Sequence, residues 1–362
     1  MPSTQPENKL LGLEILRFVT AFAILIWHYQ HFSFVGAAPS HFVIDRQPFF
    51  TVFEPFFRYG LKGVQVFWCI SGFIFFYKYR EPLSERRVGG WKFFVLRFSR
   101  LYPLHIATLL LVVGLQASYF GRHGFTFVYE NNDLKHFILQ LFMASYWGLQ
   151  DGLSFNGPIW SISLEVIVYF VFFTCLRLFG ASNLVNLAIL AIYFLAKSQG
   201  KDGDLLICLS FFYVGGQAAV FRRAFAHHRA WPLIQFGLLV GLVIGLIAAI
   251  QLQVVKDGDR MNDAIMILAP MLVILASGNL KAPMPIAKVI EAFGNLTYAS
   301  YLIHFPIQLA AVVAFSAVGL AVPFYSNAFF LGYLAVVLGL SYPVFRFFEK
   351  PAQDRLRRAM LS

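Results

Sequence analysis

Glu14, Arg17 and His28 fall inside LLGLEILRFVTAFAILIWHY, residues 10–29, a run apolar enough to enter a bilayer. An imidazole there could exchange a proton near neutral pH, and a buried guanidinium could hold an anion or a carboxylate. If the run is helical, the eleven steps from Arg17 to His28 rise about 16 Å with a net turn of about 20°, so the two side chains share a face. Glu14, three residues before Arg17, shares it too. Such a polar stripe must look into protein or a wet cavity, because ionisable groups facing lipid are costly. A plainer reading stays open: Glu14 and Arg17 form an ion pair near one membrane surface, and His28 is a hydrogen-bonded histidine at the other.

Three further stretches carry chemistry. RFSRLYP sets Arg97 and Arg100 three apart at a membrane entry, a guanidinium fork suited to phosphates, although arginines at such ends also serve topology alone. NGPIWSISLEVIVYF opens a span with Pro158 in its first turn, a favoured place for proline, and places Ser161, Glu165 and Tyr169 on one stripe. A carboxylate at that depth needs a partner: it could orient a histidine, bind sugar hydroxyls, or lock helices by a hydrogen bond. GNLTYASYLIHFPIQ puts Thr297, Tyr301, His304 and Gln308 on one polar face of an apolar helix. A lone histidine is more often a structural hydrogen-bonder, so His304 ranks below His28. Trp147 and Trp160 permit stacking on a sugar.

The elements that must position these residues follow from composition. The chain has 362 residues, 59% of them hydrophobic and 13% charged, with mean hydropathy +0.67, which describes a multispan membrane protein, an all-α polytopic helix bundle. Apolar segments near residues 10–34, 61–77, 101–120, 159–179, 184–196, 205–221, 231–252, 262–277, 294–318 and 327–347 predict about ten spans. Residues 134–149 are apolar but short of the about 20 residues a span needs, and read as re-entrant or interfacial. Gly60, Gly63, Ser71 and Gly72 are small residues that let helices approach closely. Cys69, Cys175 and Cys208 show no paired spacing, so neither a disulfide framework nor a metal site is expected.

With the N-terminus inside, nineteen of the 29 Lys and Arg collect on one side and eight on the other, Arg17 and Lys62 lying within spans. Both termini are therefore expected in the cytoplasm. This bias also accounts for the net charge of +11 without nucleic acid as a partner. Lacking a basic region, short apolar core and cleavage site, the first helix is expected to be retained. The expected division is a membrane domain over residues 1–352 and a short cytoplasmic tail over residues 353–362, mostly for anchoring.

The order and wording of these stretches resemble the membrane-bound acyltransferase-3 family, whose members esterify glycans and other hydroxyl acceptors from acyl-CoA. The resemblance covers roughly the whole chain. Its first-helix arginine and histidine fall on Arg17 and His28, and its basic pair on Arg97 and Arg100. Its further stretches match ISGF at residues 70–73, WSISLE at 160–165, SYLIH at 300–304 and FEKP at 348–351. Glu14 stands where the family more often has aspartate, and Thr297 where serine is frequent. The chain ends soon after its last span, without the extracytoplasmic hydrolase-like domain of larger relatives, so direct transfer to the acceptor is expected.

The resemblance implies an O-acyltransferase of the bacterial cytoplasmic (inner) membrane, with acyl-CoA, acetyl-CoA above all, as co-substrate and no metal. Arg97 and Arg100 would take the anionic end of acyl-CoA at the cytoplasmic mouth, and Arg17 its pantetheine or phosphate region or Glu14. His28 would be the general base toward the extracytoplasmic side, Glu165 would orient it or bind the acceptor, and Trp160, Tyr301 and His304 would meet the acceptor. No residue can be named for the oxyanion, and a homo-oligomer is left open. The competing class is a proton-coupled transporter or flippase, which also places Arg, His and Glu inside spans, although the first-half motifs have no counterparts in the second half.

Overall fold

A computed structural model describes residues 10–254 and 257–362. Lys9 and Lys256, two of the cations in the sidedness count, lie outside the described residues. The described chain forms α1 (Leu11–His28), α2 (Phe50–Tyr59), α3 (Gly63–Ser84), α4 (Gly90–His123), α5 (Leu134–Leu141), α6 (Trp160–Phe179) and α7 (Asn183–Ser198). It continues with α8 (Asp204–Phe225), α9 (Trp231–Gln251), α10 (Gly258–Ala276), α11 (Met284–Ala317), α12 (Asn327–Pro343) and α13 (Lys350–Leu361). Strand is confined to a two-residue antiparallel hairpin, β1 (Phe34–Val35) and β2 (Ala38–Pro39), with Phe34 opposite Pro39.

Eight described stretches are long and apolar enough to cross a bilayer: Leu11–Ser33, Phe50–Ser84, Gly90–His123, Gly157–Phe179, Asp204–Phe225, Trp231–Gln251, Met284–Ala317 and Asn327–Leu361. The chain is an all-α polytopic membrane protein. Two of the ten expected spans fall short of that standard. α7 is helical but has 16 residues, and α10, with 19, carries Asp259, Arg260 and Asp263 in its first two turns. The stretch at 134–149 holds only the eight-residue α5, too short to span. Asp133 caps it, accepting from the backbone N–H of His136 at 2.9 Å and from that ring's Nδ1–H at 2.8 Å. Those bonds hold the Asp133 carboxyl below the usual carboxylate range.

The chain divides into two compact units. The first comprises the described residues among 1–19, 65–85 and 175–294. Its tightest feature is the crossing of α3 and α8, where small residues replace side-chain packing by backbone approach. A Cβ on Gly72 would lie 1.8 Å from the Phe212 carbonyl oxygen, and one on Gly215 would lie 1.9 Å from that of Cys69. Cys69 and Cys208 are buried here, neither of them in a disulfide. α9 buries none of its residues, which suits a helix whose apolar side chains meet lipid.

The second unit comprises residues 20–64, 86–174 and 295–362. Gly60 again allows close approach, since a Cβ there would lie 2.1 Å from the Ala23 carbonyl oxygen. Residues 353–362, expected as a tail, belong to α13, which lies along α4. Arg357 Nε donates to Ser99 Oγ at 3.1 Å, and the Trp91 indole N–H donates to the Met360 carbonyl at 2.8 Å.

Candidate active site

His28 is the last residue of α1, where the chain tightens into a 3-10 turn over Tyr29–Ser33. The imidazole is 3% exposed. Its Nδ1 lies 2.8 Å from the Ile24 carbonyl, which can only accept, so Nδ1 carries the proton and Nε2 is left as the lone-pair nitrogen. Sequence analysis gave Glu165 as one candidate for orienting this ring. The structure assigns that part to the Ile24 carbonyl, the nearest acceptor one helical turn back, and Glu165 makes no hydrogen bond to His28. Instead, Glu165 accepts from the Tyr169 hydroxyl at 2.5 Å, the intrahelical pairing their four-residue spacing allows.

Two more imidazoles converge on His28. The His304 ring centroid lies 4.7 Å away and that of His31 5.1 Å away. Gln308 clamps the group from α11. Its Nε2 donates to the His28 carbonyl at 2.8 Å, which fixes the amide orientation, and its Oε1 accepts from His31 Nδ1 at 3.3 Å. The 3-10 turn that follows carries the helical bonding on past His28, so Gln308 adds a side-chain donor from α11 that ties the end of α1 in place. His304 is fully buried, and neither ring nitrogen completes a hydrogen bond.

Below His304 the same helix contains Pro306. Proline has no N–H, so the carbonyl of Leu302 four residues back loses its helical donor. Asn156 Nδ2 supplies one at 3.0 Å and also reaches Thr108 Oγ1 at 3.1 Å. Phe155, just before it, has φ 46°, and Val128 and Met143 in the same connection have φ 64° and 55°. Left-handed backbone at a β-branched residue is rare and persists only where packing holds it. Val128 and Phe155 are both buried. We expect Asn156→Leu to leave the Leu302 carbonyl without a partner and to cost about 1–3 kcal/mol. A lowered thermal midpoint in detergent, with Asn156→Gln retaining more stability, is the measurement that checks it.

Tyr301 stands 5.9 Å from His304 by ring centroids. Its hydroxyl donates to the Pro158 carbonyl at 2.7 Å and meets Ser161 Oγ at 2.8 Å. Glu165 acts electrostatically on both Tyr301 and Tyr298, and Tyr298 also feels Arg100 and Glu349. The Tyr298 hydroxyl donates to the Leu101 carbonyl at 2.5 Å, beside Arg100. A succession of polar side chains thus leads from Arg100 through Tyr298, Glu165, Tyr301 and His304 to His28. Arg97 and Arg100 are half-buried on α4. Arg357, from α13, brings a third guanidinium to this stretch through Ser99.

Trp160 opens α6 with its ring 5.4 Å from Tyr146, and the Trp147 indole N–H is spent on the Ser163 carbonyl at 2.9 Å. Arg17 belongs to the first unit, paired with Glu14 at 2.9 Å. The Glu14 side chain lies in space that only Gly294 leaves open, since a Cβ there would sit 1.9 Å from Oε2. Sequence reasoning missed His31, Asn156 and Arg357, and gave Gln308 a face but no partner. His31 had a signal, lying three residues after His28. Asn156 had one only in combination with Pro306, 150 positions on.

A family model described as an acyltransferase domain, of the acyltransferase-3 group, matches residues 10–346. "Protein 2 in picA locus" of Rhizobium radiobacter is 27% identical over 118 residues, 33% of this chain and 49% of that protein. The matched part therefore spans about half the length of that relative. No solved structure matches.

Proposed function

The chain belongs to the acyltransferase-3 family of multi-pass membrane proteins, and from that premise we propose that it moves an acyl group, acetyl in the simplest case, from cytosolic acyl-CoA to a hydroxyl of a glycan or related acceptor. The observation that carries this reading is the buried imidazole of His28, whose Nδ1–H is committed to Ile24 and whose Nε2 lone pair is not. A hydroxyl is a poor nucleophile until a base takes its proton, and a neutral imidazole is suited to that.

In the proposed step His28 Nε2 accepts the acceptor's O–H proton as that oxygen attacks the thioester carbonyl carbon. The tetrahedral intermediate collapses with cleavage of the C–S bond, and the departing CoA thiolate takes the proton back from His28. The ester and free CoA balance the reaction, and the base returns to its starting state. Bringing donor and acceptor to one imidazole supplies much of the rate by proximity.

Arg97 and Arg100 take the phosphates of the donor, and the polar succession to His28 suits a pantetheine arm threaded between them. Trp160, Tyr301 and His304 face the acceptor in this reading, with Glu165 holding Tyr169 and acting electrostatically on Tyr301. Arg17 stays the partner of Glu14 within the first unit. The charge bias of the loops supports cytoplasmic termini and a bacterial cytoplasmic membrane location.

The test is transfer of label from acyl-CoA to ester in proteoliposomes. Consumption of thioester with ester formed supports the reading, whereas movement of substrate with thioester intact would identify a carrier. Replacing Arg97 and Arg100 together by alanine should raise KM for acyl-CoA at least tenfold, since charge-assisted hydrogen bonds contribute about 1.5–3 kcal/mol each. Acceptor KM should move little. An unchanged donor KM would return both arginines to a topological role.

A further inference from the structure

One turn beyond the crossing at Gly72 and Gly215, α3 and α8 leave a groove of about 240 Å³ between them. Phe76, Ala219 and Val220 form its apolar part, and Arg80, Glu81 and Arg223, a turn further on, form its charged part. Glu81 pairs with both guanidiniums. Arg80 also donates to the Ala181 carbonyl at 2.5 Å and to Asn183 Oδ1 at 2.9 Å, and Arg223 donates to the Tyr77 carbonyl at 2.7 Å. Among the described residues these partners occupy five of the ten N–H groups that two guanidiniums carry. Arg80 Nε is buried with no partner. Beside them the buried guanidinium of Arg222 stands 5.3 Å from the Tyr77 ring centroid, its Nε likewise unpartnered. The groove's own charge is two guanidiniums against one carboxylate, and Arg222 adds to the excess. So does the flanking sequence, since residues 222–230 hold three arginines and no acid.

Surplus donors call for an anion, and their place in the chain says which kind. The groove lies at the ends of two stretches apolar enough to span a bilayer. Arg80 holds the connection at residues 181–183, and the adjoining Leu178, Phe179 and Leu184 expose apolar side chains, as a surface that meets lipid does. A soluble anion would use the guanidiniums but leave Phe76 and Val220 uncovered. The volume falls below the about 300–1,000 Å³ of pockets that enclose a whole small molecule, so the groove suits a headgroup and the first carbons of a chain. Guanidiniums hold phosphate through paired N–H groups, and basic pockets between membrane helices suit anionic headgroups. We propose that this groove binds an anionic phospholipid, its phosphate on Arg80 and Arg223 and the start of its chains on Phe76, Ala219 and Val220. No residue of the acyl-transfer reading takes part, so the two stand or fall separately.

The experiment titrates labelled phosphatidylglycerol onto the full chain in detergent. Labelled phosphatidylcholine, whose phosphate is balanced by its own cation, is the reference, and inorganic phosphate is the competitor. Phosphatidylglycerol should bind at least tenfold more tightly than phosphatidylcholine, and inorganic phosphate at the same concentration should not displace it. Arg223→Gln and Ala224→Glu should each weaken phosphatidylglycerol at least tenfold, as loss or neutralisation of a charge-assisted contact does, and leave phosphatidylcholine unchanged. Ala224 lines the groove and is exposed, so an added carboxylate there repels the phosphate without removing a buried contact. It carries the test alone should Arg223→Gln fail to fold. Equal binding of the two lipids, displacement by inorganic phosphate, or a phosphatidylglycerol preference unchanged in Ala224→Glu would overturn the proposal.

Discussion

His28→Ala is expected to reduce ester formation by about 10²–10⁴-fold, the range that a positioned general base supplies, while the amount of protein in the membrane stays normal. The two halves of this expectation have separate physical sources. The imidazole's lone pair at Nε2 is the only part of His28 that the proposed chemistry uses. The backbone carbonyl that ties α1 to Gln308 is still present in alanine. The lost side chain is buried against His304, His31 and Trp27, so some loss of packing follows, but neither clash nor buried charge is introduced. His28→Gln makes the contrast sharper, because it fills most of the space without providing a base. Label transfer from acyl-CoA in proteoliposomes, normalised to detergent-extracted protein, is the measurement. Turnover persisting near the unmodified rate would remove His28 as the base.

The second large effect is on folding. Gly215→Ala in α8 should sharply lower the yield of folded protein, and Gly72→Ala in α3 should do the same. Each added Cβ would sit under 2 Å from a backbone oxygen of the opposite helix, and backbone cannot rotate away as a long side chain can. The helices must separate, and neighbouring contacts are lost with them. Overpacking costs about 1–3 kcal/mol in ordinary cores and more where nothing yields. Gly114 and Gly121 in α4 are the matched controls, because a Cβ at either meets nothing within 4 Å. Size-exclusion profiles and thermal midpoints in detergent should separate the two classes. Equal behaviour of Gly215→Ala and Gly114→Ala would mean that α3 and α8 do not cross in backbone contact.

What could be read from the sequence followed from local periodicity. The run at residues 10–29 is helical and ends with His28, and Glu14 and Arg17 pair as their spacing of three allows. Thr297, Tyr301, His304 and Gln308 share the face that helical repeat assigns to them, and Thr297, His304 and Gln308 are buried. α7 and α10 were harder, because apolar content alone does not separate a short or charged helix from a full span. What could not be read depended on distant parts of the chain. Gln308 meets His28 across 280 positions, and Asn156 meets Leu302 across 146. No periodic pattern encodes such pairs. His304 ranked low because a histidine judged alone is usually structural, and only its placement beside His28 changes that. Arg357 looked like one more cytoplasmic cation until α13 was seen to lie along α4.

Gln308 holds His28 through the main chain and leaves the ring's reacting edge alone. Nδ1 keeps its proton and its bond to Ile24 in both the neutral and the cationic ring, so neither attachment is made or broken when Nε2 is charged and discharged. Anchoring and proton exchange reside on different atoms of one residue. A catalytic cycle can therefore run through this imidazole without working against the bonds that keep it in register, and the geometry met by the next substrate is the one left by the last.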